Sequence, residues 1–350
     1  MNKFKKSFLI ALIFAGLNLT AYSEKFQLPP ADVDLIGMVR QVPAPQEKTL
    51  YDIGREYGVG YEAMKNANPN VDMQLPNPDG SDVKVLVPTR YILPNNVPRD
   101  GIVINLPEMR LYYFPPDKQS VYVFAVGIGR EDWASPVGVH KITAKTPNPT
   151  WTPPASIRRE HAAQGDILPA VVPAGPDNPL GLFAMRLSAQ GYLLHGTNKP
   201  DGVGMRVSHG CIRMYPEGIE ELFQMATVGT KVTIIKQEMK IGMYGDELYL
   251  EYHPPISEDN ISPETAMHRA IEKVHQEAAK HGWTVEEDLI RAVVNEASGM
   301  PVAVSYSTGV SAPAENSPMQ ENAPNSPANE AIPSLESAED SENLASAQLQ

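Results

Sequence analysis

Cysteine is nearly missing from this chain: Cys211 is the one thiol in 350 residues. That excludes an internal disulfide framework and any CxxC zinc or redox site. Basic residues are in deficit as well. Lys and Arg number 29 against 42 Asp and Glu, for a formal net charge of −13. Such a balance argues against nucleic acid as a partner, because phosphates need a basic surface. Long apolar runs are scarce. The uncharged stretch Ser7–Leu19 falls short of the ~20 residues that span a bilayer, and nothing else approaches that length. Proline is in excess, at 33 residues, roughly double the ~5% average, so long unbroken helices are not expected.

The Ser7–Leu19 run follows Lys3, Lys5 and Lys6, and Ala21-Tyr22-Ser23 places small residues at −3 and −1 of a cut before Glu24. This pattern reads as a secretory signal peptide over residues 1–23. No cysteine follows the cut, which excludes a lipoprotein. The mature chain is expected in the bacterial periplasm, without a transmembrane span. A lone thiol in an oxidising compartment is either buried and inert or kept for its reactivity.

Residues 24–36 read as an extended leader with Pro29 and Pro30. Residues 37–93 read as a small β-α-α-β unit. A strand near Met38–Val42 precedes two short helices between Thr49 and Asn68, split by Gly58-Val59-Gly60, and a strand carrying Val83, Val85 and Val87 ends at Pro88. Residues 100–236 are dominated by strands: Ile102–Leu106, Arg110–Phe114, Val121–Gly127, Val139–Thr143, Tyr192–His195 and Val232–Ile235. One good helix follows Pro216, a residue suited to a first helical position. The eight prolines from Pro147 to Pro179 forbid regular structure there, and a long irregular stretch inside a domain is usually a functional loop. Residues 237–304 read as a hairpin around Gly245-Asp246 and two helices. Ser262-Pro263 caps the first; Thr284-Val285-Glu286-Glu287 is a capping box for the second, which stops at Gly299. Residues 305–350 hold seven acidic residues and no basic one, and are expected to be a disordered acidic tail.

The chemistry concentrates in His195-Gly196-Thr197 and Ser208-His209-Gly210-Cys211-Ile212-Arg213. A thiol is a nucleophile only as thiolate, so it needs a base or a cationic neighbour. His195 ends an apolar strand, where a side chain projects to the sheet rim, and the twelve residues before Ser208 allow a loop to join the two motifs. Gly210 removes a side chain beside the thiol and lets a substrate carbonyl approach backbone N–H groups, which serve as an oxyanion hole. Taken alone, Cys211 is a small core residue and His195 a rim histidine satisfied by backbone. His209-Gly210 and Arg213 are poor core neighbours and favour the nucleophile. Zinc accepts nitrogen and sulfur ligands, as in a His195, His209 and Cys211 set, but no carboxylate or second thiol lies nearby in sequence. The reading is therefore without metal or cofactor. Arg213 is either an ordinary strand-end charge or an anchor for a carboxylate.

These motifs resemble the active site of the L,D-transpeptidase (YkuD) family, whose hallmark is S/T-H-G-C preceded by a histidine. Gly101–Asn105, Glu108–Tyr113, Pro149–Pro153 and Val172–Gly181 resemble its ErfK/YbiS/YcfS/YnhG group of periplasmic enzymes. The β-α-α-β unit resembles a LysM module. The resemblance implies a mainly β, sandwich-like catalytic domain with one main helix, a small α+β LysM domain, a C-terminal helical segment and a disordered tail. It implies Cys211 as nucleophile and His195 as base, with Ser208, His209 and Gly210 supporting the loop and oxyanion. Arg213, Arg206, Gly196 and Thr197 would meet substrate. Implied partners are peptidoglycan stem peptides and glycan, with a second stem peptide or a small outer-membrane lipoprotein as acceptor. Carbapenem sensitivity is implied through acylation of the same thiol. The rival readings are an L,D-carboxypeptidase, a catalytically dead peptidoglycan-binding protein, and a papain-type hydrolase, whose expected sequence around the cysteine is missing.

Overall fold

The computed structural model describes residues 23–307. Apart from Ser23, the expected signal peptide lies outside the described residues, as does the expected tail beyond Ser307. Two elements open the described chain. Strand β1 (Glu24–Gln27) corrects the leader reading: its residues alternate between half-buried and exposed, which suits the margin of a sheet. Strand β2 (Leu35–Pro43) starts earlier than the sequence suggested.

The β-α-α-β unit is present. Thr49 caps α1 (Leu50–Glu56) with a full capping box through Asp52, and α2 (Tyr61–Ala67) follows Gly60. Strand β3 (Lys84–Ile92) runs through Pro88 rather than ending there. Pro88 lies opposite Val39 of β2 in a two-stranded ribbon. Such a ribbon leaves each strand one unpaired edge, where a missing N–H is tolerated. Leu50, Ile53, Val59, Met64, Val85 and Val87 form this unit's own core.

Ten strands share one sheet. They are β1, β4 (Gly101–Asn105), β5 (Arg110–Phe114), β6 (Ser120–Gly129), β7 (Gly138–Pro147), β8 (Phe183–Leu187), β9 (Leu193–His195), β10 (Arg206–Ser208), β11 (Ile212–Met214) and β12 (Lys231–Ile235). The path runs β6-β11-β9-β8-β7-β12-β4-β5 and returns to β6. The expected sandwich-like wrap is thus one continuous pairing path whose ends meet. Ile102, Ile104, Leu111, Phe124 and Val126 point to one core. The alternate residues Val103, Tyr112, Phe114, Val121 and Val123 point to a second, closed by Ile36 and Tyr91 of the ribbon. Both faces of these strands are buried, which is why they read as unbroken apolar runs.

Helix α3 (Ala155–Ala163) corrects the expectation of an irregular proline loop. It begins directly after Pro153-Pro154 and occupies the proline-free gap before Pro169, so proline bounds it without entering it. Helix α4 (Pro216–Met225) packs Ile219 and Leu222 into the main core as expected.

The C-terminal region is a four-stranded sheet backed by two helices. Its strands are β13 (Met239–Tyr244), β14 (Glu247–Tyr252), β15 (Thr284–Val285) and β16 (Val302–Tyr306). Helix α5 (Pro263–His281), capped by Ser262, buries Ala266, Ala270, Val274 and Ala278 at i, i+4 spacing. Thr284 does not cap α6 (Glu287–Glu296). It pairs with Tyr306, Glu286 takes the cap position, and the helix ends at Ala297. Backbone pairing with β16 outcompetes the capping box. The same strand corrects the tail boundary, since Ser305 is fully buried in it.

The small unit docks on the loop that leads to the cysteine motif. The N–H groups of Tyr61 and Glu62, at the start of α2, donate to the carbonyls of Val203 and Gly204 at 3.1 and 3.2 Å. A Cβ on Gly204 would strike Tyr61 N and Gly60 Cα, so glycine at both positions permits the contact. Among the described residues no helix is long and apolar enough to cross a membrane.

Candidate active site

Strands β9 and β11 run parallel, with Leu194 beside Ile212 and His195 beside Arg213. Cys211 is the bend residue immediately before Ile212, and the Leu193 N–H of β9 lies against its sulfur, which brings it beside the strand that ends in His195. His195 is buried, and its Nδ1 lies 2.6 Å from Gly196 O. With Nδ1–H donating to that carbonyl, Nε2 is left as the acceptor of the ring. Cys211 is half-buried, its Sγ 3.8 Å from Gly191 O. No hydrogen bond joins it to His195 among the described residues.

Burial pushes the His195 pKa down to about 4, helped by the Arg213 charge and opposed by the Gly196 carbonyl. Burial also raises the Cys211 thiol, against smaller opposing effects of the Leu193 N–H and Arg213. The resting pair is therefore neutral thiol and neutral imidazole. A neutral pair of this kind holds no standing thiolate.

This depression has a stability consequence. The unfolded chain binds the His195 proton more tightly than the folded one, so the contribution is complete above the ordinary pKa of 6.5 and is lost as pH falls toward 4. The loss amounts to about 3 kcal/mol. Urea midpoints at pH 7.5 and 4.5 are expected to differ less for His195→Asn than for the wild type. Equal pH dependence in the two proteins would show that His195 is not buried as a neutral ring.

The expected supporting residues shape the loop. Ser208 Oγ donates to Cys211 O at 2.6 Å and accepts from Gly210 N at 3.1 Å. Gly210 N–H is thus occupied, which corrects the expectation that it faces an oxyanion; the His209 and Cys211 N–H groups are the remaining candidates. Gly210 has φ +96°, and a Cβ there would press on Tyr192 at 2.8 Å. Thr197 Oγ1 accepts from Lys199 N at 2.9 Å and forms a turn. A Cβ on Gly196 would touch Ile219 at 3.0 Å.

The two arginines differ. Arg213 has a largely buried guanidinium, its Nε without a hydrogen-bond partner, and it pairs with no carboxylate among the described residues. Arg206 is committed elsewhere, to Glu258 at 2.6 Å, Ser257 Oγ at 3.0 Å and Gly129 O at 3.3 Å. It clamps the C-terminal region to β6, which corrects its reading as a free anion ligand.

Several neighbours of the motif are illegible in its sequence. Ser135 Oγ donates to Gly210 O at 2.9 Å. Arg130 N donates to Ser208 O at 3.0 Å, and Trp133 meets the His209 ring edge-on at 5.0 Å. Glu160, from α3, reaches both His209 and Arg130. The Gly127–Gly129 pair ending β6 was the available signal, since glycine in a strand often marks a close backbone approach.

Away from this site, Glu108, Glu251 and His253 form a group of three potential metal ligands. The Lys240 ammonium already stands among them, 2.7 Å from Glu108 and 2.9 Å from Glu251, and Arg110 adds a second cation at 2.6 Å from Glu108. The donor set is neutralised by side chains, so it reads as an internal ion network.

The model of the L,D-transpeptidase catalytic domain (YkuD) matches residues 99–234 of this chain. Three Escherichia coli K12 proteins are similar over most of its length. Probable L,D-transpeptidase YcfS is 42% identical over 295 residues, covering 83% of this chain and 91% of its own. Probable L,D-transpeptidase ErfK/SrfK is 40% identical over 300 residues, covering 84% and 94%. Probable L,D-transpeptidase YbiS is 39% identical over 313 residues, covering 87% and 99%.

Proposed function

This chain belongs to the L,D-transpeptidase family, and from that premise we propose that Cys211 is acylated by a peptidoglycan tetrapeptide stem and passes the acyl group to an amine. The observation that carries the reading is the convergence of the two motifs: His195 ends β9, Cys211 immediately precedes the parallel neighbour β11, and Nδ1 of His195 is fixed by Gly196 O at 2.6 Å.

The Cys211 proton passes to His195 Nε2 as Sγ attacks the carbonyl of the third stem residue, at its L-centre. The tetrahedral oxyanion forms beside the N–H groups of His209 and Cys211. His195 returns the proton to the departing nitrogen, D-Ala leaves, and a thioester remains. The acceptor amine then gives a proton to His195 and attacks the thioester; the new amide forms and the thiol is restored. Neutral groups in the resting state suit this order, because each proton moves only when the sulfur or nitrogen needs it. Arg213 would receive a substrate carboxylate, since its fork has no acidic partner among the described residues. A second stem peptide as acceptor gives a 3→3 cross-link; the terminal lysine of a small outer-membrane lipoprotein gives an anchor; water gives carboxypeptidase activity.

The signal peptide, the periplasmic location and the domain limits belong to the same proposal. So does glycan binding by the β2-α1-α2-β3 unit, which would hold stem peptides at high local concentration.

Intact mass after mixing the mature protein with a disaccharide-tetrapeptide tests the assignment. A thioester adduct accompanied by free D-Ala is expected. Folded protein with a titratable thiol, no adduct and no D-Ala would favour a binding protein instead.

A further inference from the structure

Helix α3 is lightly held. Ile157 is its one buried residue, and its other side chains stand at least partly in solvent. Its polar tie to the site runs through Glu160, a residue that nothing in the local sequence marks. One carboxylate oxygen lies 3.2 Å from His209 Nε2 and the other meets the Arg130 guanidinium. Both partners are fastened to the cysteine loop. Arg130 N donates to Ser208 O at 3.0 Å, and His209 stands two residues before Cys211, packed edge-on against Trp133.

We propose that Glu160 is a positioning residue: its carboxylate bridges α3 to His209 and Arg130 and so fixes the loop that presents Cys211. With His209 Nε2–H donating to Glu160, the ring has one orientation, and the following Gly210-Cys211 backbone is set from its side-chain end as well as by Ser208. Ser135 and Arg130 hold this loop by its carbonyls, Trp133 holds the ring by packing, and Glu160 adds, among the described residues, the single anionic contact. The groups facing that carboxylate are Arg130 and His209; His161, whose ring lies 6.4 Å from that of His209, is itself paired with Asp166 at 2.7 Å. Removing the carboxylate frees the His209 ring and unlatches α3. A small reagent then reaches the thiol more readily, while a large acyl donor meets a loop with no fixed orientation. The proposal rests on Cys211 being the nucleophile.

The test compares wild type, Glu160→Ala and Glu160→Gln in two assays. The first is Cys211 acylation by disaccharide-tetrapeptide, followed by intact mass. The second is the full pH profile of iodoacetamide alkylation, whose limiting rate reports access separately from thiol acidity. For Glu160→Ala, acylation is expected to fall at least tenfold and the limiting alkylation rate to rise at least threefold, with an unchanged melting temperature. Glu160→Gln keeps an acceptor for His209 and is expected to recover part of both. Both rates within twofold of wild type would overturn the proposal. So would a fall in both together with the melting temperature, which marks a merely structural role. Slower acylation with unchanged alkylation would assign Glu160 to substrate contact and also overturn it. Should wild type fail to acylate while Glu160→Ala still alkylates faster, the transpeptidase reading fails and the positioning role stands.

Discussion

With Cys211 replaced by alanine, acyl transfer is expected to fall by on the order of 10^4-fold or more, with no change in folding. The thiol is half-buried and its polar contacts are weak ones, to Gly191 O at 3.8 Å and from the Leu193 N–H, so its removal disturbs the packing little. In the proposed reaction, in contrast, every covalent step passes through Sγ. His195→Asn is expected to lower the rate by roughly 10^2–10^4-fold, the usual worth of general acid–base catalysis. The two losses are not expected to add, because each residue serves the same proton transfer. Release of D-Ala and thioester mass measure both. Binding to peptidoglycan is expected to survive in both variants. Residual turnover in Cys211→Ala within tenfold of wild type would exclude cysteine catalysis altogether.

The second large effect is expected far from the site, at Lys240. Its ammonium is wholly buried and bonded to Glu108, Glu251, the Ile92 carbonyl at 2.7 Å and Tyr112 OH at 3.0 Å. Burial disfavours charge at Glu251, yet Lys240, His253 and Arg110 outweigh it and hold that carboxyl well below its ordinary range. Lys240→Met removes the cation and leaves two carboxylates short of a partner. A broken buried pair of this kind typically costs 3–5 kcal/mol, roughly 10 °C in melting temperature for a protein of this size. Adding Glu251→Gln should restore part of the loss, since it removes the charge that Lys240 had matched. The network's Glu251 contribution is present above the ordinary carboxyl pKa of 4.5 and is lost as pH falls through the depressed value. A Lys240→Met melting point within 2 °C of wild type, as an order-of-magnitude threshold from typical surface substitutions, would show the network to be dispensable.

How far the fold was legible followed the chemistry of each segment. Strands β4, β5, β6 and β12 were readable because they are buried on both faces and rich in β-branched and aromatic residues. Strand β8, Phe183-Ala-Met-Arg-Leu187, has no β-branched residue, and β10 and β11 have three residues each, too few to show a period. Helix α3 was hidden by the prolines that bound it. At Thr284 a local capping signal was real in sequence and lost to pairing with a strand some twenty residues later.

The site divides in the same way. Cys211 and His195 stood out because a thiol amid glycine, histidine and arginine makes poor core. Glu160 and Arg130 come to His209 from 49 and 79 positions away along the chain, and only tertiary structure brings them there. Arg206 was misread for the converse reason. Its sequence neighbourhood is that of Cys211, but its carboxylate partner, Glu258, arrives from the C-terminal region.

The closed strand path also dictates an order of assembly. Strand β12 is the link between β4 and β7, pairing with Ile102–Asn105 on one side and Gly138–Lys141 on the other. It comes from the far end of the sheet's sequence, so two edges stay open until residues 231–235 are in place. Closure therefore joins β12 to segments about 130 residues back at β4 and about 90 at β7, a high contact order that places folding among the slow, millisecond-to-second cases. A chain shortened before Lys231 would present the unpaired edges of β4 and β7 to other molecules, and aggregation rather than partial activity is its expected fate.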